Sequence, residues 1–130
     1  MAKMNFPDDT FVVVTTGERA KTFRVRNASL QHQDDWTPKD LNDDGPAGKS
    51  PPEMSEREID EATFSKQIAQ RLYKLAHQGA YSDLILAADP DTLGEIRPLL
   101  HQEVTSKLRL EKAKTLINSS TDEIEQSLSS

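Results

Sequence analysis

A chain of 130 residues with 22 acidic and 16 basic side chains carries a formal charge of −6, so its overall field repels phosphate backbones and argues against a general nucleic-acid binder. It has no cysteine, which excludes a disulfide framework and thiolate chemistry and fits a reducing compartment. The stretch MAKMNFPDDT lacks a signal-peptide core and no segment reaches the roughly 18 apolar residues of a membrane span, so the expectation is one cytoplasmic domain over residues 1–130 with no membrane partner.

The first element is Phe11-Val12-Val13-Val14-Thr15-Thr16, whose three consecutive β-branched valines predict a buried strand. After a turn at Gly17–Ala20, Lys21–Arg26 alternates polar with apolar residues, the pattern of a strand with one wet face. Asn27-Ala28 turns the chain again. Ser29–Trp36 then supplies a third antiparallel strand, anchored by Leu30 and closed by Trp36. From Thr37 to Ser55 the composition shifts to Pro, Gly, Asp and Asn, with little to bury, and predicts a flexible loop.

Ser55-Glu56-Arg57-Glu58 has the form of a capping box, and Phe64, Ile68, Leu72 and Leu75 follow at the spacing of one helical stripe. Gly79 suits the left-handed position that ends such a helix. Leu84–Ala88 is a short, continuously apolar run closed by Asp89-Pro90, which predicts a strand buried on both faces, parallel to the first and central to the sheet. Asp91-Thr92 is the expected cap of the next helix, with Leu93, Ile96, Leu99 and Leu100 on its buried side. Pro98 predicts a kink in that helix, the other arrangement being a short turn before a main helix that starts near Pro98. Lys107–Lys112 alternates like an outer strand guarded by charge. Ser120-Thr121-Asp122-Glu123 is a second capping box, opening a helix that buries Ile124 and Leu128. The order β-β-β-α-β-α-β-α outlines an α/β fold with a ribonuclease-H-like mixed sheet and helices packed on it.

The catalytic inventory is empty at the level of motifs. Two-metal nuclease chemistry needs carboxylates converging from the first strand and its parallel neighbour, and FVVVTT ends without one, leaving Asp89 without an evident partner. His32, His77 and His101 show no zinc-ligand spacing, and no nucleophile elbow, phosphate loop or dinucleotide fingerprint occurs. No catalytic residue, metal ligand or cofactor is therefore expected. What remains is a basic row, Arg97, Lys107, Arg109, Lys112 and Lys114, read either as a solvated edge or as a patch for an anionic partner. The candidate binding residues are Asp89, Gly94, Arg97, Arg109 and Lys112.

Phe64 with SKQIAQRL, the strand LILAADP, and Pro90-x-x-Leu93-Gly94-x-Ile96-Arg97-x-x-Leu100 resemble the bacterial host attachment protein family. VVVTTGERAKTFRV is similar to that family's first hairpin and DDGPAGKS to its glycine-containing loop. Two positions depart from its pattern: Thr15-Thr16-Gly17 stands for Ala-Asp-Gly, and Lys114-Thr115-Leu116 for Lys-Asp-Leu. The family is in turn similar to the central domain of archaeal and eukaryotic class-1 peptide release factors, which presents a Gly-Gly-Gln loop. This sequence has no Gly-Gly pair, so peptide release is not implied. The resemblance implies a non-enzymatic interaction module with a protein or ribosome partner, affecting attachment indirectly; direct nucleic-acid contact is only weakly supported, through the basic row of an otherwise acidic chain. A vestigial hydrolase or nuclease with a site near the Asp89 loop is the alternative. Oligomeric state is left open by the residues.

Overall fold

Three consecutive valines with no polar interruption leave β1 (Phe11–Thr15) buried along its whole length, and the computed structural model places it in the middle of a five-stranded sheet. The structure describes residues 6–37 and 56–129, with side chains of the first helix from residue 62 onward. β1 pairs antiparallel with β2 (Ala20–Arg26) on one side and parallel with β4 (Leu84–Ala88) on the other. β3 (Ser29–Trp36) and β5 (Leu108–Ala113) form the edges, giving the order β3-β2-β1-β4-β5. This is the α/β mixed sheet expected from the sequence, with β4 as a central strand buried on both faces. No helix among the described residues is long and apolar enough to cross a membrane.

Because side chains alternate along a strand, the sheet separates two cores. Phe11, Val13, Leu84 and Leu86 meet α1 (Glu56–His77) through Phe64, Ile68 and Leu72, all three fully buried. Val12, Val14, Ile85 and Ala87 meet Leu116, Ile117 and α4 (Thr121–Ser129) through Ile124 and Leu128. Each edge strand feeds both cores by means of a register shift. In β3, Leu30 pairs with Val25 and lies in the α4-side core, whereas Trp36 pairs with Ala20 and lies in the α1-side core. Both positions are even-numbered and would share a face in a regular strand; the irregularity opposite Thr22/Phe23 inserts Gln33 and reverses the alternation. β5 repeats the device at Leu84/Ile85, so Leu108 packs on the α1 side and Leu110 on the α4 side, with Arg109 displaced between them.

The turns follow local chemistry. Asn27 and Ala28 both take positive φ, 53° and 63°, as a two-residue hairpin turn demands. Gly79, at φ 74°, closes α1 in a Schellman arrangement: its N–H bonds to the Ala76 carbonyl and the Ala80 N–H to that of Leu75. Tyr81 then returns beneath the helix, stacking on Phe11 and donating its hydroxyl to the Leu72 carbonyl at 2.8 Å. Burial, reinforced by the field of Glu103, pushes the Tyr81 phenol well above its ordinary pKa.

The second capping box forms as the sequence predicts: Ser120 N–H donates to Glu123 Oε1 at 2.8 Å and Glu123 N–H to Ser120 Oγ at 3.2 Å. Hydrogen bonding from the Ser120 backbone N–H, and then from its hydroxyl, holds the Glu123 carboxyl below its ordinary pKa. A depressed carboxyl pKa stabilises the fold above the unfolded value of about 4.3, and that contribution is lost as the pH falls through the folded value. Ser120→Ala should therefore lower the urea midpoint at neutral pH, and the difference from the parent protein should shrink on acidification, as read by far-ultraviolet circular dichroism.

The segment after β4 differs from the sequence expectation in two respects. The helix after β4 is capped by Asp89, not by Asp91-Thr92: Asp89 Oδ2 accepts from Thr92 N–H at 3.1 Å and Pro90 occupies the first helical position, where its missing donor costs nothing. Nor does one kinked helix follow. α2 (Pro90–Ile96) ends in a 3₁₀ turn over Arg97–Leu99, Leu100 is extended, and α3 (Gln102–Thr105) restarts with His101 as its cap. Pro98 in the 3₁₀ turn accounts for the break, since a proline ring cannot continue the i−4 ladder. In consequence Leu93 and Ile96 are buried as expected, but Leu100 is only partly so and Leu99 is exposed. The loop predicted over 37–55 and the capping box at Ser55 lie outside the described residues, apart from Thr37.

Candidate functional site: the cleft at the strand ends

β1 and β4 are parallel neighbours whose chains leave in opposite directions, β1 into the hairpin with β2 and β4 across to β5. The crevice beyond the carboxyl ends of such a pair is where open α/β sheets hold ligands. A cleft of about 410 Å³ lies there, lined by Thr16, Gly17, Glu18 and Arg19 from the β1–β2 turn, by Asp89, Asp91, Thr92 and Glu95 from the start of α2, and by Ile117 and Asn118.

The walls are built by local bonds. Thr16 Oγ1 accepts from the Glu18 and Arg19 amides at 3.2 and 3.4 Å, which tightens the turn. The Arg19 guanidinium then donates to Asn118 Oδ1, tying that turn to the segment after β5. Four carboxylates against one guanidinium give the cleft a negative field, unsuited to a phosphate or a nucleic-acid backbone. Among the described residues, no three of His, Asp and Glu are arranged to hold a metal ion.

The residues singled out from the sequence fall in different places. Asp89 lines the cleft while also capping α2. Gly94 lies exposed on α2, where an added Cβ would meet nothing within 4 Å. Arg97 makes a two-pronged pair with Glu111, Nη2 to Oε1 at 2.9 Å and Nε to Oε2 at 3.1 Å, joining the 3₁₀ turn to β5. Arg109, at the β5 register shift, pairs with Asp83 near the opposite end of β4. Lys112 pairs in register with Ala87 and so stands on the α4 side, across the sheet from Arg97 and Glu111. The basic row is thus divided between two faces, and two of its guanidiniums are held by carboxylates.

Sequence reasoning did not single out Glu18, Arg19 or Asn118. The available signal was the strand-end rule applied to β1 as well as to β4, since the turn after a parallel central strand borders the same crevice.

Gly94 offers a direct test of whether its missing side chain serves the fold. A glycine within a helix costs about 0.5–1 kcal/mol relative to alanine, and nothing here crowds the position. Gly94→Ala should stabilise the protein by about that amount in urea unfolding.

An α/β domain with a mixed five-stranded sheet, two helical layers and an acidic cleft at its strand ends is the class of protein these observations define. The chain matches bacterial archaeo-eukaryotic release factor family 12 over residues 9–128. It belongs to that family, which upholds the release-factor likeness read from the sequence; the match does not extend to the host attachment group. A search of curated proteins gives no match. Seventeen chains of solved structures match. One, described as an archaeal protein, is 17% identical, superposes with a TM-score of 0.49, and is matched over 92% of this chain but only 36% of its own length.

Proposed function

We propose that this chain is a translation-associated binding module, acting in the cytoplasm without catalysing peptide release. The observation that carries the reading is the family match across residues 9–128, nearly the whole chain. Release chemistry is left out because the sequence has no Gly-Gly pair from which a Gly-Gly-Gln loop could be made. A role in host attachment, on this reading, is an indirect consequence of such a module and not adhesion by the chain itself. The partner is a protein or the ribosome; the acidic cleft and the divided basic row give little to a bare nucleic acid. Asp89, Gly94, Arg97, Arg109 and Lys112 are the proposed contact residues. Affinity capture of the tagged chain from its native cell tests this directly. Ribosomal proteins or translation factors should co-purify and be lost on Arg97→Glu, and a catch free of translation components would count against the reading.

One observation favours a second reading, hydrolysis at the strand-end cleft: a polar crevice of about 410 Å³ containing Asp89 and Asp91. It is tested by assaying the protein with magnesium or manganese against single-stranded RNA and a phosphodiester substrate. Turnover abolished by Asp91→Asn would establish it in place of the binding module.

A further inference from the structure

At the end of the sheet opposite the acidic cleft, where β1 and β4 begin, three segments line a second polar cavity of about 540 Å³. The turn before β1 supplies Asp8 and Asp9, β2 supplies Arg24 and Arg26, and the chain leaving α1 supplies Gly79, Ala80 and Asp83. Most of the charge here is already matched. Arg26 Nη2 meets Asp9 Oδ1 at 2.9 Å, and Asp83 holds Arg109. Among the described residues lining the cavity, that leaves one cation and one carboxylate without an ionic partner, Arg24 and Asp8.

Arg24 is held in place without being neutralised. Its Nη1 donates to the Asp9 carbonyl at 3.0 Å and its Nη2 to the Ala80 carbonyl at 2.8 Å, and its guanidinium carbon lies 4.7 Å from the centre of the Phe11 ring. A guanidinium has five N–H groups and keeps its charge in a protein, so donors remain for a ligand. Burial lowers the Arg24 pKa from its ordinary value, with Asp9 opposing that shift and Arg26 adding to it. The cause is a cation partly withdrawn from water, a cost that a counterion would offset. The Asp8 turn is equally fixed. Thr10 Oγ1 donates to the Pro7 carbonyl at 2.6 Å, the Asp9 N–H to the Val25 carbonyl at 2.8 Å, and Asp8 Oδ1 accepts the Asn27 amide at 3.0 Å. The other Asp8 oxygen is left for a further donor. Groups positioned before binding lose little freedom when a ligand arrives.

We propose that this cavity binds a free α-amino acid as its zwitterion, with the carboxylate on the Arg24 guanidinium and the ammonium towards Asp8. The charge inventory selects a dipolar ligand over an ion of either sign. A lone anion drawn to Arg24 would meet the field of Asp8, and a lone cation drawn to Asp8 that of Arg24, whereas a zwitterion compensates both. The C-terminal end of α1, which reaches the cavity at Gly79 and Ala80, adds partial negative charge that favours the ammonium. A polyanion is opposed further by the net charge of −6. The volume falls within the range of about 300–1,000 Å³ typical of small-ligand pockets. An added Cβ at Gly79 would meet nothing within 4 Å, so the ligand's own side chain has room there.

The test titrates each of the common L-amino acids into the full chain, isotope-labelled, and follows the amide NMR spectrum. At least one should give saturable shifts confined to Asp8–Asp9, Arg24–Arg26 and Gly79–Asp83. Its N-acetyl form, which lacks the ammonium, and its amide, which lacks the carboxylate, should each bind the parent chain about tenfold more weakly or worse, the loss of one charge-assisted contact. Arg24→Gln and Asp8→Asn should weaken binding similarly. Arg24→Gln also disturbs the bonds to Asp9 and Ala80, so Asp8→Asn, at an exposed position, and the two blocked ligands decide the matter if that variant does not fold. Absence of shifts with every amino acid at millimolar concentration, or shifts located elsewhere, would overturn the proposal. So would equal binding of the N-acetyl form or the same shifts with inorganic phosphate, which would make the cavity a simple anion site. The measurement uses purified components, so its outcome is independent of whether the chain sediments with ribosomes.

Discussion

Phe64→Ala should destabilise the protein by about 3–5 kcal/mol, the range for removing a fully buried phenylalanine. Phe64 is 0% exposed and belongs to the core formed by α1 with Phe11, Val13, Leu84 and Leu86 of the two central strands. Its neighbours along the helix, Ile68 and Leu72, are equally buried and pinned to a rigid sheet, so collapse into the vacated volume is restricted and the cavity penalty remains. The expected result is a lower urea midpoint with an unchanged slope, because the surface exposed on unfolding hardly alters. A loss below about 1 kcal/mol would mean that α1 is not docked as described.

Ile124→Ala should cost about 2–5 kcal/mol. Ile124 is 1% exposed in the opposite core, where α4 covers Val12, Val14, Ile85 and Ala87. α4 has only nine residues and is held by that packing, by the Ser120–Glu123 box, and by Glu125, whose carboxylate accepts the Leu30 amide at 3.1 Å. An isolated helix of this length does not persist in water, so losing its main anchor should also raise hydrogen exchange across α4 before global unfolding. Since the sheet separates Phe64 from Ile124, their double variant should show additive losses within about 0.5 kcal/mol. Marked non-additivity would show that the two cores are coupled through the sheet.

The parts of the fold legible in the sequence are those where a single local signal dominates. Three valines, the LILAA run, the i, i+4 stripe of α1 and the Ser120 box each identify one element because burial, propensity and capping agree there. Asp89 was harder to place: Asp89 and Asp91 are both good caps, and only the end of β4 decides which residue the helix starts from. The broken helix after Ile96 was undecidable from periodicity because Leu99 and Leu100 continue the helical spacing, and the outcome depends on how Pro98 resolves its steric conflict. The edge-strand register shifts were hidden for a related reason. A bulge changes which face a residue meets without changing the composition, so Leu30 and Trp36, or Leu108 and Leu110, read as one stripe when they serve two cores.

The site was legible in position and not in composition. Asp89 was placed at a strand end by the LILAADP run alone, but Glu18, Arg19 and Asn118 come from segments far away in the chain and meet it only through the order of the sheet. The basic row shows the reverse. Arg97, Arg109 and Lys112 look continuous in sequence, and the shift at Arg109, together with the pairs to Glu111 and Asp83, divides them.

Sedimenting the purified chain with ribosomes from its native cell, at low and at high salt, decides whether it acts as a translation-associated binding module. The chain should pellet with ribosomes at low salt and be released steeply as salt rises, as an electrostatic contact requires. A chain that stays in the supernatant at low salt would contradict that role.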